Sequence, residues 1–196
     1  MTALVVATNN PGKQAEFRRL LAPLGARTVT PADLGLELVP EEPHDIYAEN
    51  ARAKADAFCR RTGLISLADD AGIEVAALDW GPGVQTAHYG TPTQSGVDLV
   101  LERLRGVSDR RARMVCWLAV GTPGDPAPTI ELFSGTMEGR IASAPRGSGG
   151  FGFDPIFELP EGLTAAALPP EENDLRSHRG RAVASALPRL RALLSC

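Results

Sequence analysis

Residues 3–13 read ALVVATNNPGK, and this stretch decides the fold class. Its first five residues are continuously apolar, which is typical of a short buried strand. Asn, Pro and Gly then mark a turn at residues 8–12, and apolar side chains recur with helical spacing over residues 17–24. The pattern predicts a strand, a turn and a helix in succession, which is the repeating unit of an α/β protein.

The same alternation continues along the rest of the chain. Further strands are predicted at residues 28–30, 64–68, 73–78, 113–120, 129–133 and 155–159. Further helices are predicted at residues 45–61, 95–105 and 180–194, the first of them with Asp45 as its N-cap. No repeat, linker or low-complexity tail interrupts the pattern. We therefore expect one α/β domain over residues 1–196, built on a mixed sheet.

The composition argues against several classes of protein. Of the 196 residues 43% are hydrophobic, which is enough for a buried core. No apolar run reaches the roughly 18 residues of a membrane span, and the N-terminus lacks the basic region of a signal peptide. The three cysteines form no CxxC pair, which argues against a disulfide framework or a zinc site. We therefore expect a cytoplasmic protein without a membrane partner.

The charge of the chain narrows the choice of ligands. A net charge of −4 argues against a nucleic-acid surface, although a small anion can still be bound locally. Of 20 basic residues only Lys13 and Lys54 are lysine, which indicates an arginine-rich codon usage. A lysine that persists against this bias is either required as a compact ammonium or retained by chance.

The turn TNNPGK at residues 8–13 is a candidate phosphate site. It opens a helix, where free backbone N–H groups and the helix dipole favour an anion. Lys13 falls in the first turn of that helix and can neutralise a phosphate oxygen. The stretch is not a Walker A loop, because Ala7 and Gln14 stand where that pattern requires Gly and Ser or Thr. The alternative is an ordinary turn with a solvated lysine.

Two acidic pairs, Glu41-Glu42 and Asp69-Asp70, are candidate metal ligands. The second pair directly follows an apolar strand, where an unpaired buried charge would be costly. Carboxylates at a strand end opposite a phosphate turn suit Mg²⁺, which takes one or two protein carboxylates and completes its shell with water and phosphate. The alternative is that these acids cap turns and are solvated.

A helical pair of polar residues, Asn50 and Lys54, is a third candidate. The two residues are one turn apart on the predicted helix and share a face. Such a face could reach a binding cleft, but a polar stripe on a helix is usually its solvated side.

Two short motifs near the C-terminus are candidates for binding a planar group. Glycines in GSGGFGFDP, residues 147–155, let the backbone approach a ligand closely. Phe151 or Phe153 could stack on a base, and Asp154 could accept from a base N–H. The motif SHRG adds His178 and Arg179 as donors near a helix N-terminus. A packed glycine-rich hairpin explains the first motif equally well.

Taken together and in this order, the motifs resemble those of the inosine triphosphate pyrophosphatase family from end to end. The matching segments are TNNPGK, EE with ENARAKA downstream, LADDAGIEVAAL, GPGVQTAHYG, GSGGFGFDPIF and SHRG. The resemblance implies Mg²⁺-dependent hydrolysis of non-canonical purine nucleoside triphosphates (ITP, dITP and XTP) to the monophosphate and pyrophosphate. It also implies a homodimer, and an elongated mixed sheet with two lobes around a central nucleotide-binding cleft.

The resemblance also assigns residues by position. It implies that Asp70 accepts the proton of the attacking water, and that Glu41 and Asp70 bind the metal. The residues implied to hold the nucleotide are Thr8, Asn9, Asn10, Pro11, Gly12, Lys13, Ala71, Phe151, Gly152, Phe153, Asp154, Asn173, His178 and Arg179.

Three positions depart from the family pattern. Ala71 replaces a common serine, Asn173 replaces a usual lysine and His88 replaces a usual arginine. These changes remove a hydroxyl and two guanidinium or ammonium groups, so they affect affinity and specificity more than the reaction.

Two rival functions are also compatible with parts of the sequence. A pyrophosphatase of the Maf-like type would act on other nucleotides, but the SHRG and GGFGFDP motifs argue against it. A non-catalytic nucleotide sensor would not need Glu41, Asp69, Asp70 and Lys13, and only the lysine lost at Asn173 supports it.

Overall fold

The fold is that of a computed structural model, which describes residues 3–38 and 44–195. Six strands are described: Ala3–Val6 (β1), Arg27–Val29 (β2), Ile65–Val75 (β3), Arg111–Thr122 (β4), Thr129–Ile141 (β5) and Phe157–Glu158 (β6). Five α-helices accompany them: Pro11–Leu21 (α1), Tyr47–Thr62 (α2), Gly96–Arg103 (α3), Pro170–Arg176 (α4) and His178–Leu194 (α5). None of the helices within these ranges is long and apolar enough to cross a membrane.

The strands form one sheet in the order β2-β1-β3-β4-β5-β6. Strand β1 pairs in parallel with both β2 and β3, whereas β5 and β6 pair antiparallel. The predicted α/β class with a mixed sheet is therefore confirmed. Because β1 and β3 are parallel, the segments that follow them emerge at the same edge of the sheet.

Strand β3 corrects the prediction of two separate strands at residues 64–68 and 73–78. It runs without a break from Ile65 to Val75 and passes through Asp69 and Asp70. Both aspartates are nearly inaccessible, at 1% and 4% exposure. An acidic pair indicates the end of a buried strand when its carboxylates are solvated by water. Here hydrogen-bonding and charged groups of the protein take the place of that water, so the strand continues through the pair.

Two helix starts and one whole helix differ from the sequence prediction. Helix α2 begins at Tyr47 after Ile46, so Asp45 is not its N-cap. Helix α4 was not predicted; it begins at Pro170, and proline is favoured in the first turn of a helix. Helix α5 begins two residues earlier than predicted and contains Pro188.

The chain divides into two compact units. The first comprises Met1–Asp70, Cys116–Gly135 and Arg179–Cys196, and the second comprises Ala71–Val115 and Thr136–His178. Strands β3, β4 and β5 each contribute residues to both units. A single domain over residues 1–196 stays a prediction.

Each unit has an apolar core of its own. In the first unit, α2 packs on the sheet through residues that include Val5, Val29, Ala55, Phe58 and Ala119. In the second unit, the core includes Ile73, Val100, Met137, Phe157 and Leu168. Both cores are built from alternate strand residues and one helix face, as the hydrophobic pattern requires.

Gly139 provides a test of the packing of β6 on β5. A Cβ at Gly139 would lie 2.6 Å from the Glu158 carbonyl oxygen and 2.8 Å from the Phe157 ring. We expect Gly139→Ala to lower the free energy of unfolding by about 1–3 kcal/mol, because the strand or the ring must shift. The exposed neighbour Glu138 supplies the control: Glu138→Ala should change it by less than about 0.5 kcal/mol. Urea denaturation of both variants measures the difference, and equal midpoints would show that the clash is relieved at no cost.

Candidate active site

The predicted phosphate turn is shaped by its own side chains. Asn10 caps α1 by accepting a hydrogen bond from the Lys13 N–H at 3.1 Å. Thr8 Oγ1 accepts from the Asn10 N–H at 3.2 Å, and Gln14 Nε2 donates to the Thr8 carbonyl at 2.8 Å. One backbone N–H expected to meet phosphate, that of Lys13, is therefore already engaged. The turn is preformed, and Asn9, Asn10 and Pro11 are exposed at its surface.

The turn after β1 lies beside the acidic pair within β3. Val6 of β1 is in register with Leu67 of β3, and the Ala7 N–H donates to the Leu67 carbonyl at 2.8 Å. The next residues of both strands therefore run side by side. The structure brings Lys13 and Asp69 together, with 3.1 Å between the Lys13 Nζ and the Asp69 Oδ2.

Strand alternation sends the two aspartates to opposite faces of the sheet. Ser66 and Asp70 face α2, since Ser66 Oγ donates to the Ala55 carbonyl and Asp70 Oδ2 accepts from Asn50. Asp69 faces α1 and α5, because its Oδ2 accepts from Lys13 and Arg179. Successive strand residues always point in opposite directions, so two adjacent carboxylates have different partners.

Asp69 belongs to a buried cluster of four charged side chains, which we call the Asp69 cluster: Lys13, Glu16, Asp69 and Arg179. Arg179 donates through Nε and Nη2 to Asp69 Oδ2, each at 3.1 Å, and through Nη1 to Glu16. Asp69, Arg179 and Glu16 are 1%, 2% and 6% exposed. The guanidinium also lies over the Phe17 ring, 5.6 Å from its centroid.

Asp69 and Arg179 stabilise each other's charged forms within the Asp69 cluster. Burial would raise the pKa of Asp69, but the charges of Lys13, Arg179 and Lys54 outweigh burial and hold this pKa well below its ordinary value. Burial would lower the pKa of Arg179, but Asp69 and Glu16 raise it. Asp69 therefore stays ionised beside Arg179 and is a poor proton acceptor.

Asn50 ties a second segment to Asp70. Its Oδ1 accepts from the His44 N–H at 3.1 Å, and its Nδ2 donates to the His44 carbonyl and to Asp70 Oδ2, each at 2.9 Å. Asn50 and Lys54 are 2% and 7% exposed, so the interpretation of this helix face as solvated was wrong. The predicted metal ligand Glu41, together with Glu42, lies outside the described residues.

The glycine-rich motif of the second unit is closed by Asp154. Its Oδ2 accepts from the Phe151 N–H at 2.9 Å. A Cβ at Gly150, where φ is +65°, would lie 2.0 Å from that oxygen, so only glycine fits. Phe153 is 9% exposed and packs in the core of its unit, whereas Phe151 is half-buried. Of the two aromatic candidates, Phe151 therefore has the accessible ring surface.

The remaining predicted nucleotide-binding residues also lie in the second unit. Ala71 is half-buried in β3, Gly152 is exposed, and His178 is the half-buried first residue of α5. Asn173 lies in α4, and its buried Oδ1 has no hydrogen-bond partner among the described residues. His88 is exposed.

Arg179 has a structural role that the sequence did not reveal. The guanidinium pairs with residues 110 and 163 positions away along the chain, a separation that no local pattern encodes. Glu16 was missed for the same reason, although a charged residue on the apolar face of α1 was a usable signal. The predicted contact of Arg179 with the base stays a prediction.

The family model, related sequences and a related structure that resemble this chain are those of Ham1 proteins or dITP/XTP pyrophosphatases. The family model described as the Ham1 family matches residues 4–189. A dITP/XTP pyrophosphatase of Acidovorax sp. (strain JS42) is 50% identical over 186 residues, covering 91% of this chain and 89% of that protein. One from Paracidovorax citrulli is 47% identical over 196 residues, or 96% and 97% of the two chains. A solved HAM1 protein from Coxiella burnetii superimposes with a TM-score of 0.81 at 37% identity, covering 100% and 99%.

Arg179→Ala tests how much the Asp69 cluster contributes to the free energy of unfolding. The change would leave Asp69 and Glu16 as buried carboxylates without their main cation, so the free energy of unfolding should fall by about 3–5 kcal/mol. Arg191→Ala, at an exposed position of the same helix, should change it by less than about 0.5 kcal/mol. Urea denaturation at 25 °C compares them, and a loss no larger than that of the control would mean that the buried pairs contribute nothing to stability.

Proposed function

This chain belongs to the Ham1 family, and from that premise and the geometry above we propose that it hydrolyses non-canonical purine nucleoside triphosphates. The products are the nucleoside monophosphate and pyrophosphate, and the substrates are dITP, XTP and ITP. The curated relatives at 46–50% identity are named for the first two. One observation carries the proposal: Lys13, in the first turn of α1 after β1, contacts Asp69 of the acidic pair on the neighbouring parallel strand β3.

The triphosphate is held by the turn after β1. Thr8, Asn9, Asn10, Pro11 and Gly12 supply an exposed, preformed loop at the N-terminus of α1, where the helix dipole favours an anion. Lys13 adds a compact ammonium whose three N–H donors can serve Asp69 and a phosphate oxygen together.

Asp70 is the residue best placed for the chemistry. Its carboxylate is 4% exposed and accepts a hydrogen bond from the Asn50 amide. The carboxylate of Asp69 is engaged by Lys13 and Arg179, which makes it a poor proton acceptor. Asp70 accepts a proton from the attacking water as the oxygen of that water bonds to phosphorus. The P–O bond between the α- and β-phosphates breaks, and pyrophosphate leaves.

Mg²⁺ fits the donor set around Asp70. Magnesium needs only one or two protein carboxylates, and no cluster of three or more His, Cys, Asp or Glu is present among residues 3–38 and 44–195. Asp70 would hold the ion together with Glu41, which stands three residues before His44, the anchor point of Asn50. The ion would neutralise phosphate charge when bound.

The base is recognised by residues of the two C-terminal motifs. Phe151 has ring surface on which a base can stack, and Gly152, Phe153 and Asp154 hold that turn in shape. His178 is a donor suited to a 6-oxo group, which inosine and xanthine carry and adenine lacks. Arg179 is a second candidate for this contact, although its Nε, Nη1 and Nη2 already donate to Asp69 and Glu16. Asn173 and Ala71 are also proposed to contact the nucleotide, at positions where the family pattern has a lysine and a serine.

Two further properties complete the proposal. We expect a homodimer in the cytoplasm, without nucleic-acid or membrane partners. The family resemblance supports the dimer, and the net charge of −4 supports the absence of a nucleic-acid surface. Size-exclusion chromatography with light scattering tests the oligomeric state.

Asp70→Asn tests the chemical role of that carboxylate. Pyrophosphate release from ITP should require a divalent cation, and the variant should lose about 10²–10⁴-fold in kcat, because the amide cannot take the proton. Asp125→Asn, at an exposed turn position, is the matched control and should retain full activity. Near-normal turnover by the Asp70 variant, or undiminished activity in excess EDTA, would refute the assignment.

Substrate selectivity tests the base-binding motifs. The parent protein should hydrolyse ITP and XTP with higher kcat/KM than ATP, by up to about 10⁴-fold, since a buried donor facing the 6-amino group of adenine stays unpaired. Arg179→Lys keeps the charge beside Asp69 but removes the planar fork, so the ratio should fall. Equal hydrolysis of ATP and ITP by the parent would disprove 6-oxo recognition. If Arg179→Lys leaves the ratio of ITP to ATP hydrolysis unchanged, the selectivity for the base resides in residues 151–154 instead.

A further inference from the structure

The two oxygens of the Asp69 carboxylate have unequal surroundings. Oδ2 accepts three hydrogen bonds, from Lys13 Nζ and from Nε and Nη2 of Arg179, all at 3.1 Å. Oδ1 is buried and has no hydrogen-bond partner among the described residues. A single oxygen therefore joins the lysine of the phosphate turn to the arginine of α5.

The shared oxygen restrains a side chain that is otherwise mobile. Lysine has four rotatable bonds, and fixing them costs conformational entropy. The Lys13 side chain is only 19% exposed, and its ammonium is fixed beside Asp69 before any phosphate arrives. A binding group that is ordered in advance loses less freedom when its ligand binds.

Arg179 in turn restrains Asp69. Its planar guanidinium contacts Asp69 on one edge and Glu16 with the remaining Nη1, and it is 2% exposed. The guanidinium has no need to move when Lys13 also donates to phosphate, so Asp69 keeps a cation throughout. Donation by two N–H groups of one rigid guanidinium to a single oxygen suits arginine and not lysine.

We propose that Asp69 is a positioning residue that holds the Lys13 ammonium in place for the triphosphate, with Arg179 and Glu16 as its support. Asp69 touches neither the nucleotide nor the metal. This inference rests on the proposed function of Lys13 in binding the triphosphate. It separates the adjacent carboxylates into one that positions a cation and one, Asp70, that takes part in the chemistry.

Lysine NMR tests the positioning without any catalysis. The chain contains only two lysines, so protein labelled with ¹⁵N-lysine gives two side-chain signals, which Lys54→Arg assigns. In Asp69→Asn the Lys13 signal should move to the position of a solvated ammonium, whereas in Asp70→Asn it should stay where it is. A Lys13 signal that does not change in Asp69→Asn would overturn the proposal, whatever the activity of the protein.

Kinetics with ITP separate positioning from a merely structural role. Asp69→Asn should raise KM by about 10- to 100-fold, the range that a charge-assisted hydrogen bond carries, and should lower kcat far less than Asp70→Asn does. In the Lys13→Gln background, Asp69→Asn should add no further loss of kcat/KM, because its effect passes through Lys13. Independent, multiplying losses would overturn the proposal.

The double variant Lys13→Gln/Asp69→Asn keeps the proposal testable if Asp69→Asn alone folds poorly. Lys13→Gln/Asp69→Asn removes one charge of each sign and keeps the Asp69 cluster neutral, so it should fold even if Asp69→Asn does not. Its kcat/KM should then equal that of Lys13→Gln alone, and a clearly lower value contradicts the proposal. If the parent protein itself releases no pyrophosphate from ITP or XTP, the proposed function fails, while the NMR result on Lys13 still stands.

Discussion

The buried carboxylate of Asp69 is the constraint on which the first unit depends. A charge that is 1% exposed is tolerated only if other charges replace water around it. Lys13 on α1 and Arg179 on α5 supply that replacement, and Glu16 balances the second cation. Helices α1 and α5, far apart in sequence, are thereby fixed to the same strand, and the phosphate turn at the start of α1 is fixed with them.

Because side chains alternate between the two faces of β3, the adjacent Asp69 and Asp70 have different surroundings. Asp69 points to the cations of α1 and α5, and Asp70 points to the Asn50 amide of α2. A carboxylate already paired with cations is a weak base and has little left to offer a metal. The pleat of a single strand therefore gives the two adjacent carboxylates different partners, and the proposed roles of Asp69 and Asp70 rest on that difference.

Local patterns in the sequence predicted most of the fold, and long-range charge pairing explains most of what was missed. The strand, turn and helix of residues 3–21 follow from apolar periodicity and turn residues. Strand β3 was predicted as two pieces because its acidic pair reads as solvated; its partners Lys13 and Arg179 lie 56 and 110 positions away. The burial of Asn50 escaped prediction because its partners include backbone groups of His44, which no side-chain pattern marks.

The division of labour between Asp69 and Asp70 is tested most directly by locating the metal. A crystal structure with Mn²⁺ and a non-hydrolysable ITP analogue gives the metal position from anomalous scattering. We expect the Mn²⁺ peak on the Asp70 carboxylate, with Lys13 in contact with both a phosphate oxygen and Asp69, and Arg179 still on Asp69. A metal bound to Asp69, with Lys13 and Arg179 displaced from it, would contradict the assignment of Asp69 as a positioning residue and of Asp70 as the chemical one.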